Sequence, residues 1–366
     1  MQKKIIILIA LIVSHSYMLD AQVGGKNVYR LLDFNYSSRI ASLGGGLVSV
    51  FDSDPSMIIS NPSFISKEHH NSLSFNFVDY FGNTAYASAL YSRTFQKAGS
   101  FALEMRYIGY GKMTETNIYD EELGKFSAGD YCLTLGWGRW LNDHFSIGAN
   151  FKSVLAAYES YTSFGLAVDV AGSYYNPVKR LSLSLLFKNI GSELKPFTPG
   201  NFERVPFDIQ FAFSQRLAHL PVRYHFSLHS LYRWNMMYVG PENPIYPEDA
   251  MQGIKYPSKT AQFFDNFFRH FIFGLEVEAS KYFSLMFSYN HNRHQEMKIP
   301  QKGSMAGFSY GFFVNIHSIR IGFSRSHYAV GAVPNYITFA CNIDEVSKFS
   351  KENKQKKLEK VKTLNE

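Results

Sequence analysis

Period-two alternation recurs along almost the whole chain, and no other feature limits its fold as tightly. Leu73, Phe75 and Phe77 interleave with Ser72, Ser74 and Asn76; Phe101, Leu103, Met105 and Tyr107 interleave with Ala102, Glu104, Arg106 and Ile108. Such alternation makes a strand with one apolar and one polar face. Fourteen runs of this kind lie near 71–78, 84–95, 100–110, 126–138, 145–157, 162–174, 181–189, 207–215, 223–233, 271–278, 283–290, 306–314, 318–326 and 334–342. Most have about ten residues, which is what a tilted strand needs to cross a bilayer.

The connections separate a membrane barrel from a soluble sandwich. Alternate gaps are short, at 96–99, 139–144, 176–180, 216–222, 279–282 and 315–317. Long ones fall between them, at 111–125, 190–206, 234–270 and 291–305. Outer-membrane barrels sort their loops this way, with short periplasmic turns and long external loops, and an even strand count returns both termini to the periplasm. Trp137, Trp140, Tyr174, Tyr175 and Tyr282 cluster at the short-turn end, and Tyr80, Phe81, Tyr110, Tyr158, Tyr161 and Trp234 at the other. Rings favour both membrane interfaces. Charged residues make up only 18% of the chain, against a usual share of about a quarter. No apolar run near the length of a helical span follows the first twenty residues. The fold expected is an all-β, fourteen-stranded antiparallel barrel over 71–342.

Residues 1–21 read as an export signal: Lys3 and Lys4 precede the apolar stretch 5–13, and Ala21 closes a cleavage site before Gln22. Residues 234–262 read as an exposed loop punctuated by Pro241, Pro244, Pro247 and Pro257. This is the candidate partner loop. Residues 258–270 form a candidate amphipathic helix in which Phe263, Phe264, Phe267 and Phe268 make one stripe; packing on the barrel's own rim is the favoured reading, over sealing the mouth or meeting a partner. The lysine-rich stretch 343–366 reads as a charged periplasmic tail. Cys132 and Cys341 sit in separate strands and are expected to stay free.

Before the barrel, residues 22–70 form a compact element. Gly44, Gly45 and Gly46 allow a sharp turn or a close backbone approach. Asp54-Pro55 is an N-cap followed by proline at the first helical position, and Asn61-Pro62 repeats that signal. These residues carry a resemblance. The pattern Arg39-x-Ala41-x-Leu43-Gly44-Gly45, then Val48-Ser49, Asp52-x-Asp54-Pro55-Ser56 and Asn61-Pro62, resembles the N-terminal hatch of FadL-type outer-membrane barrels. Residues 22–29, 126–131 and 163–169 are similar to the PorV/PorQ branch, the type IX secretion barrels of Bacteroidetes. The branch implies a non-enzymatic subunit that anchors a surface protein similar to PorZ beside the sortase-like attachment complex. FadL-type barrels at large imply passage of hydrophobic small molecules through the hatch and a lateral wall opening. The Ser-, Gly- and charge-rich polar faces favour the first.

Enzymatic chemistry is not visible. Ser192 and Lys195 match Ser-x-x-Lys without the companion motifs. His225 and His229, on one strand face, stand about 13 Å apart, too far to share a metal. Gly44–Gly46 lacks the Lys and Ser/Thr of a phosphate loop. No cofactor or metal is expected. The net charge of +7 is scattered, and export makes nucleic acid an implausible partner. Glu104, Arg106, Lys152, Asp169, Lys188, Arg223 and Arg233 fall on the polar faces of their strands. Facing lipid, an Arg or Lys would cost about 2–4 kcal/mol at the midplane, so these faces are expected to line a lumen and pair with one another or with Arg39 and Asp52.

Overall fold

The computed structural model describes residues 27–237, 258–298, 303–316 and 318–351. Among them, alternation is realised as parity. On β4 (Glu122–Trp140), Tyr131, Leu133 and Leu135 point outward and are exposed, while Asp130, Cys132 and Thr134 point inward and are buried. The same rule runs through β1 (Ser72–Asp79), β2 (Ala85–Phe95), β3 (Gly99–Thr116), β5 (Phe145–Tyr158), β6 (Tyr161–Asn176), β7 (Leu181–Lys195) and β8 (Asp208–Arg216). It continues through β9 (Val222–Leu228), β10 (Phe271–Ser280), β11 (Phe283–Asn290), β12 (Phe308–Ile316), β13 (Ile319–Ser326) and β14 (Asn335–Asn342). Every strand pairs antiparallel with its neighbours in sequence, and β14 closes on β1 with Ser72 opposite Asn342 and Asp79 opposite Asn335. Closure leaves no unpaired sheet edge. No helix among the described residues is long and apolar enough to cross a membrane.

All fourteen expected runs are strands, with three differences in extent. The ladder of β3 and β4 continues to Thr116 opposite Glu122, so most of 111–125 is sheet rather than loop. β7 likewise runs on to Lys195. β9 stops at Leu228, so Arg233 does not face the lumen from a strand; it follows a turn and lies 5.6 Å over the Tyr232 ring. Parity also corrects the aromatic assignment. Trp140 and Tyr175 point inward and pack on Phe51 at 4.8 and 5.2 Å. Tyr80, Tyr110 and Tyr158 also line the interior, and Tyr161, opposite Tyr158, has the inward parity but is exposed at the mouth, whereas Phe81 and Tyr282 remain exposed on the outside. Position near a strand end sets the height of a ring, but odd or even position sets its face.

The segment before β1 fills the barrel. Its first described residue, Asn27, bridges Arg204 in the β7–β8 connection, at the long-loop end. The helical turn α1 (Ser38–Ser42) packs on β11 to β14. Single 3-10 turns follow at Pro55–Met57, Pro62–Phe64 and Lys67–His69, and the chain joins β1 at the short-turn end. The described chain thus enters at one end and leaves at the other, where residues 343–351 are helical. An even strand count governs only the two ends of the barrel; the hatch crosses the lumen before β1 begins. The export signal 1–21 and Pro241, Pro244, Pro247 and Pro257 lie outside the described residues.

Leu133, half exposed at mid-strand, tests the outward face. We expect Leu133→Arg to destabilise the lipid-refolded barrel by about 2–4 kcal/mol in urea titration. Ile118→Arg, at the tip of the β3–β4 hairpin, should change it by less than about 0.5 kcal/mol.

Candidate functional site

The hatch is seated by a glycine turn. Gly44 and Gly45 adopt φ of +96° and +82°, a conformation that costs other residues strain. Their N–H groups return to Ala41 O and Ile40 O at 3.1 and 2.9 Å, closing α1. A Cβ on Gly44 would collide with the Ile272 side chain of β10, and one on Gly46 would stand 2.5 Å from Ser227 Oγ of β9. The turn therefore lies against the wall at van der Waals distance, and that contact aims Arg39 at β10.

Arg39 is 7% exposed and meets three carboxylates. Its Nη1 reaches Asp52 Oδ2 at 2.7 Å and Asp54 Oδ2 at 3.2 Å, and Nη2 reaches Glu276 Oε1 at 2.9 Å. Arg223 takes the other Glu276 oxygen at 2.6 Å and continues to Glu278 at 3.3 Å, which pairs with Arg216 at 2.5 Å. Asp54 does two jobs: its Oδ1 accepts Ser56 N–H at 3.0 Å, capping the turn that opens with Pro55. Burial alone would raise the Asp52 carboxyl, but Arg39, Arg223 and Arg320 together outweigh it and hold it well below the usual carboxylate range. His69 Nε2 stands 3.0 Å from Asp52 O, an acceptor only, so this nitrogen carries the proton and Nδ1 accepts from Ser66. Burial pushes its imidazole down to about 4.

The remaining inner-wall charges pair in separate groups. Lys152 Nζ meets Asp169 at 2.7 Å and Asn189 Oδ1 at 2.8 Å. Asn150 bridges Asp169 to the hatch through Ile59 O, at 2.9 and 2.7 Å. Glu104 pairs with Arg106 at 2.6 Å, and Arg106 lies 5.1 Å over the Tyr36 ring. Lys188 reaches Asp33 at 3.3 Å. Asn61 differs from expectation: Pro62 follows it, but its side chain makes no cap to that turn's backbone. It receives Ser63 Oγ at 2.6 Å and donates to Ser184 at 3.0 Å instead. Ser49, Ser63 and their partners Ser182, Ser184 and Ser173 tie the hatch to β6 and β7.

At the long-loop end an aromatic seat receives the hatch. Phe34 stacks on Tyr86 at 4.0 Å and meets Tyr80 edge-on at 5.6 Å, with Tyr336 6.0 Å away. Asp130 accepts from Tyr110 and Tyr158 at 2.8 Å each. Between hatch and wall lies a cavity of about 20 Å³, lined by Gly45, Gly46 and Leu47 and by Lys152, Asp169 and Lys188. That is room for about one water. Glu276, Glu278, Arg216, Asp130 and His69 were not singled out from the sequence. Parity would have found Glu276, which alternates with Leu275 and Val277; His69 becomes visible only once the hatch is folded. Among the described residues no three His, Cys, Asp or Glu side chains converge as a metal requires.

Removing Arg39 takes a partner from three carboxylates, of which Asp54 and Glu276 are buried. We expect Arg39→Met to cost about 3–5 kcal/mol, seen as lost hydrogen-exchange protection over residues 36–60. His69 binds a proton less readily folded than unfolded, so its contribution is complete above pH ~6.5 and fades towards 4, by about 3 kcal/mol. Asp52, held low, keeps its contribution until the pH falls below the usual carboxylate range. Protection of residues 60–71, corrected for intrinsic exchange, should therefore fall between pH 6.5 and 4, and His69→Gln should flatten that fall.

No family model matches the chain, and no curated protein does. Solved structures do. A deltaS2 mutant of the TodX monoaromatic hydrocarbon channel is 10% identical, with a TM-score of 0.50 over 85% of this chain and 99% of that one. The Pseudomonas putida toluene transporter TodX is 12% identical, with a TM-score of 0.46 over 87% and 98%. A Pseudomonas aeruginosa FadL homologue is 10% identical, with a TM-score of 0.46 over 87% and 100%. At such identities the likeness is one of architecture alone: the chain is similar in fold to the first of these barrels, and its own wall is a closed barrel of fourteen strands filled by its hatch.

Proposed function

We propose that this chain is an outer-membrane barrel whose hatch gates passage of a hydrophobic, aromatic small molecule, with long loops outside and short turns in the periplasm. The fold likeness says nothing of cargo. The observation that carries the reading is an interruption of the wall beside the lumen cavity. The β6–β7 ladder runs to Val170 opposite Phe187 and resumes only at Val168 opposite Ile190. Two residues of β7 thus oppose Asp169 alone, which is a bulge. Asn189, at φ +56°, gives its N–H to Asp169 Oδ1 at 2.8 Å. The Lys152–Asp169–Asn189 group therefore bridges this interruption of the wall, and Asp169 and Lys152 also line the cavity. Phe34 occupies an aromatic seat that an aromatic ligand would contest. Transport requires the hatch to shift, because a cavity of about 20 Å³ passes nothing larger than water.

A second reading follows the resemblance to the type IX secretion barrel PorQ. The observation favouring it is the sealed lumen: buried ion pairs and serine contacts brace the hatch along its length. In this reading the barrel anchors a PorZ-like surface protein beside the attachment complex, and the hatch never moves.

A tether decides between them. Ser63 and Ser173 hydroxyls stand 2.6 Å apart, so Ser63→Cys with Ser173→Cys, in a Cys132→Ser, Cys341→Ser background, locks hatch to wall. Cells carrying the barrel should take up the hydrophobic dye N-phenylnaphthylamine faster than cells without it. Oxidation of the tether should abolish that excess and reduction restore it. Uptake equal with and without the barrel, together with co-purification of a surface protein, would overturn the channel reading in favour of the second.

A further inference from the structure

The helix α2 (Lys259–Arg269), at the long-loop end just before β10, is amphipathic in the inverted sense. A helix on a soluble surface turns its apolar side to the core. Here the protein-facing side is polar. Asn266 is 6% exposed and accepts the N–H groups of Met236 and Met237 at 2.9 Å each. Arg269, 9% exposed, donates to Asp265 at 2.6 Å and Asn292 at 3.4 Å. The expected packing of the phenylalanine stripe on the rim is met only along its edges, through Trp234 and Phe271, and Phe263, Phe264, Phe267 and Phe268 remain 37–53% exposed. Their polar neighbours have better partners on the rim, and those partners set the rotation of the helix.

The outward stripe is continuous with the outer wall. Phe267 and Phe268 meet Phe271 at 4.9 and 6.1 Å. Phe271 stacks on Phe273 at 5.6 Å and 13°. Phe273 and Leu275 belong to the outward, apolar face of β10. Trp234 covers the other flank, 5.1 Å from Phe263. An apolar path thus climbs without a break from the barrel belt onto the helix, which is the geometry of an interfacial helix lying in the membrane plane.

We propose that α2 lies on the membrane surface, its four phenylalanines among the acyl chains of the leaflet at the long-loop end, about 5–10 Å below the headgroup boundary. The continuity with the apolar wall selects lipid as the occupant. This rests on the reading of the barrel as membrane-spanning, and the test separates the two. In full-length protein carrying Cys132→Ser and Cys341→Ser, single cysteines are introduced by Phe264→Cys, Leu133→Cys and Ile118→Cys. Leu133 lies on the outward face of β4 and Ile118 at an exposed hairpin tip. Each is labelled with an environment-sensitive fluorophore, and the barrel is refolded into phosphatidylcholine vesicles. At 264 the emission should be blue-shifted and iodide quenching several-fold weaker than at 118, approaching the values at 133. Phe263→Ser, Phe267→Ser and Phe268→Ser in the 264 background should return that label to water-like values while the barrel keeps its heat-dependent gel mobility. Water-like emission at 264 with lipid-like emission at 133 would overturn the proposal and leave the stripe to a protein partner. Water-like emission at 133 as well would overturn the membrane-spanning barrel itself.

Discussion

A guanidinium inside a barrel has few places to go, and the hatch is organised by the place Arg39 takes. Removing a charge from water costs several kcal/mol per ion unless partners replace the hydration. Arg39 finds Asp52 and Asp54 from its own segment and Glu276 from the wall. Two of these carboxylates are held in turn: Asp54 by the N–H it caps, and Glu276 by Arg223. Such a cluster adds little net stability compared with an apolar filling, but it is satisfied in only one register. The hatch cannot slide along the lumen without leaving charges unpaired.

The other contacts repeat this logic with weaker groups. Serines on the inner faces of β6, β7 and β8 are short enough to let the hatch backbone approach and polar enough to bond it. Inward aromatic rings do the opposite work at the two mouths. Trp140 and Tyr175 close on Phe51 at the short-turn end, and the tyrosine seat closes on Phe34 at the other. The lumen is thus filled by these polar contacts together with apolar clusters of hatch and wall, and capped by rings at each mouth. A small, charged cavity lies beside the bulge in β7. Of the ladders whose register shifts, the β6–β7 ladder is interrupted at Asp169, a residue that also lines this cavity, and that coincidence singles out the point.

The outside follows a separate rule. Its side chains answer to the surrounding medium, and α2 answers to the same medium as β10. Asn266 and Arg269 take the polar partners offered by the rim, which leaves the phenylalanines to the side where the wall is apolar. Helix and strand differ in conformation and share one environment.

Period-two alternation determined the strand count and the inward placement of Glu104, Arg106, Lys152, Asp169, Lys188 and Arg223, because a strand's side chains must alternate whatever surrounds them; the sorted connections carried the antiparallel order. Asp54-Pro55 likewise announced a capped turn, since that geometry is local. Arg233 was misplaced, and the Trp140 and Tyr175 rings were assigned to the wrong face, because strand ends and ring direction depend on neighbouring strands. The Arg39 cluster, the Asn189 bulge and the rotation of α2 lay beyond the sequence altogether. Each joins residues far apart in the chain, Arg39 with Glu276, Lys152 with Asn189, Asn266 with Met236, and only barrel closure brings them within hydrogen-bonding distance. Local periodicity determined what each strand could be; the enclosed lumen decided which charges met.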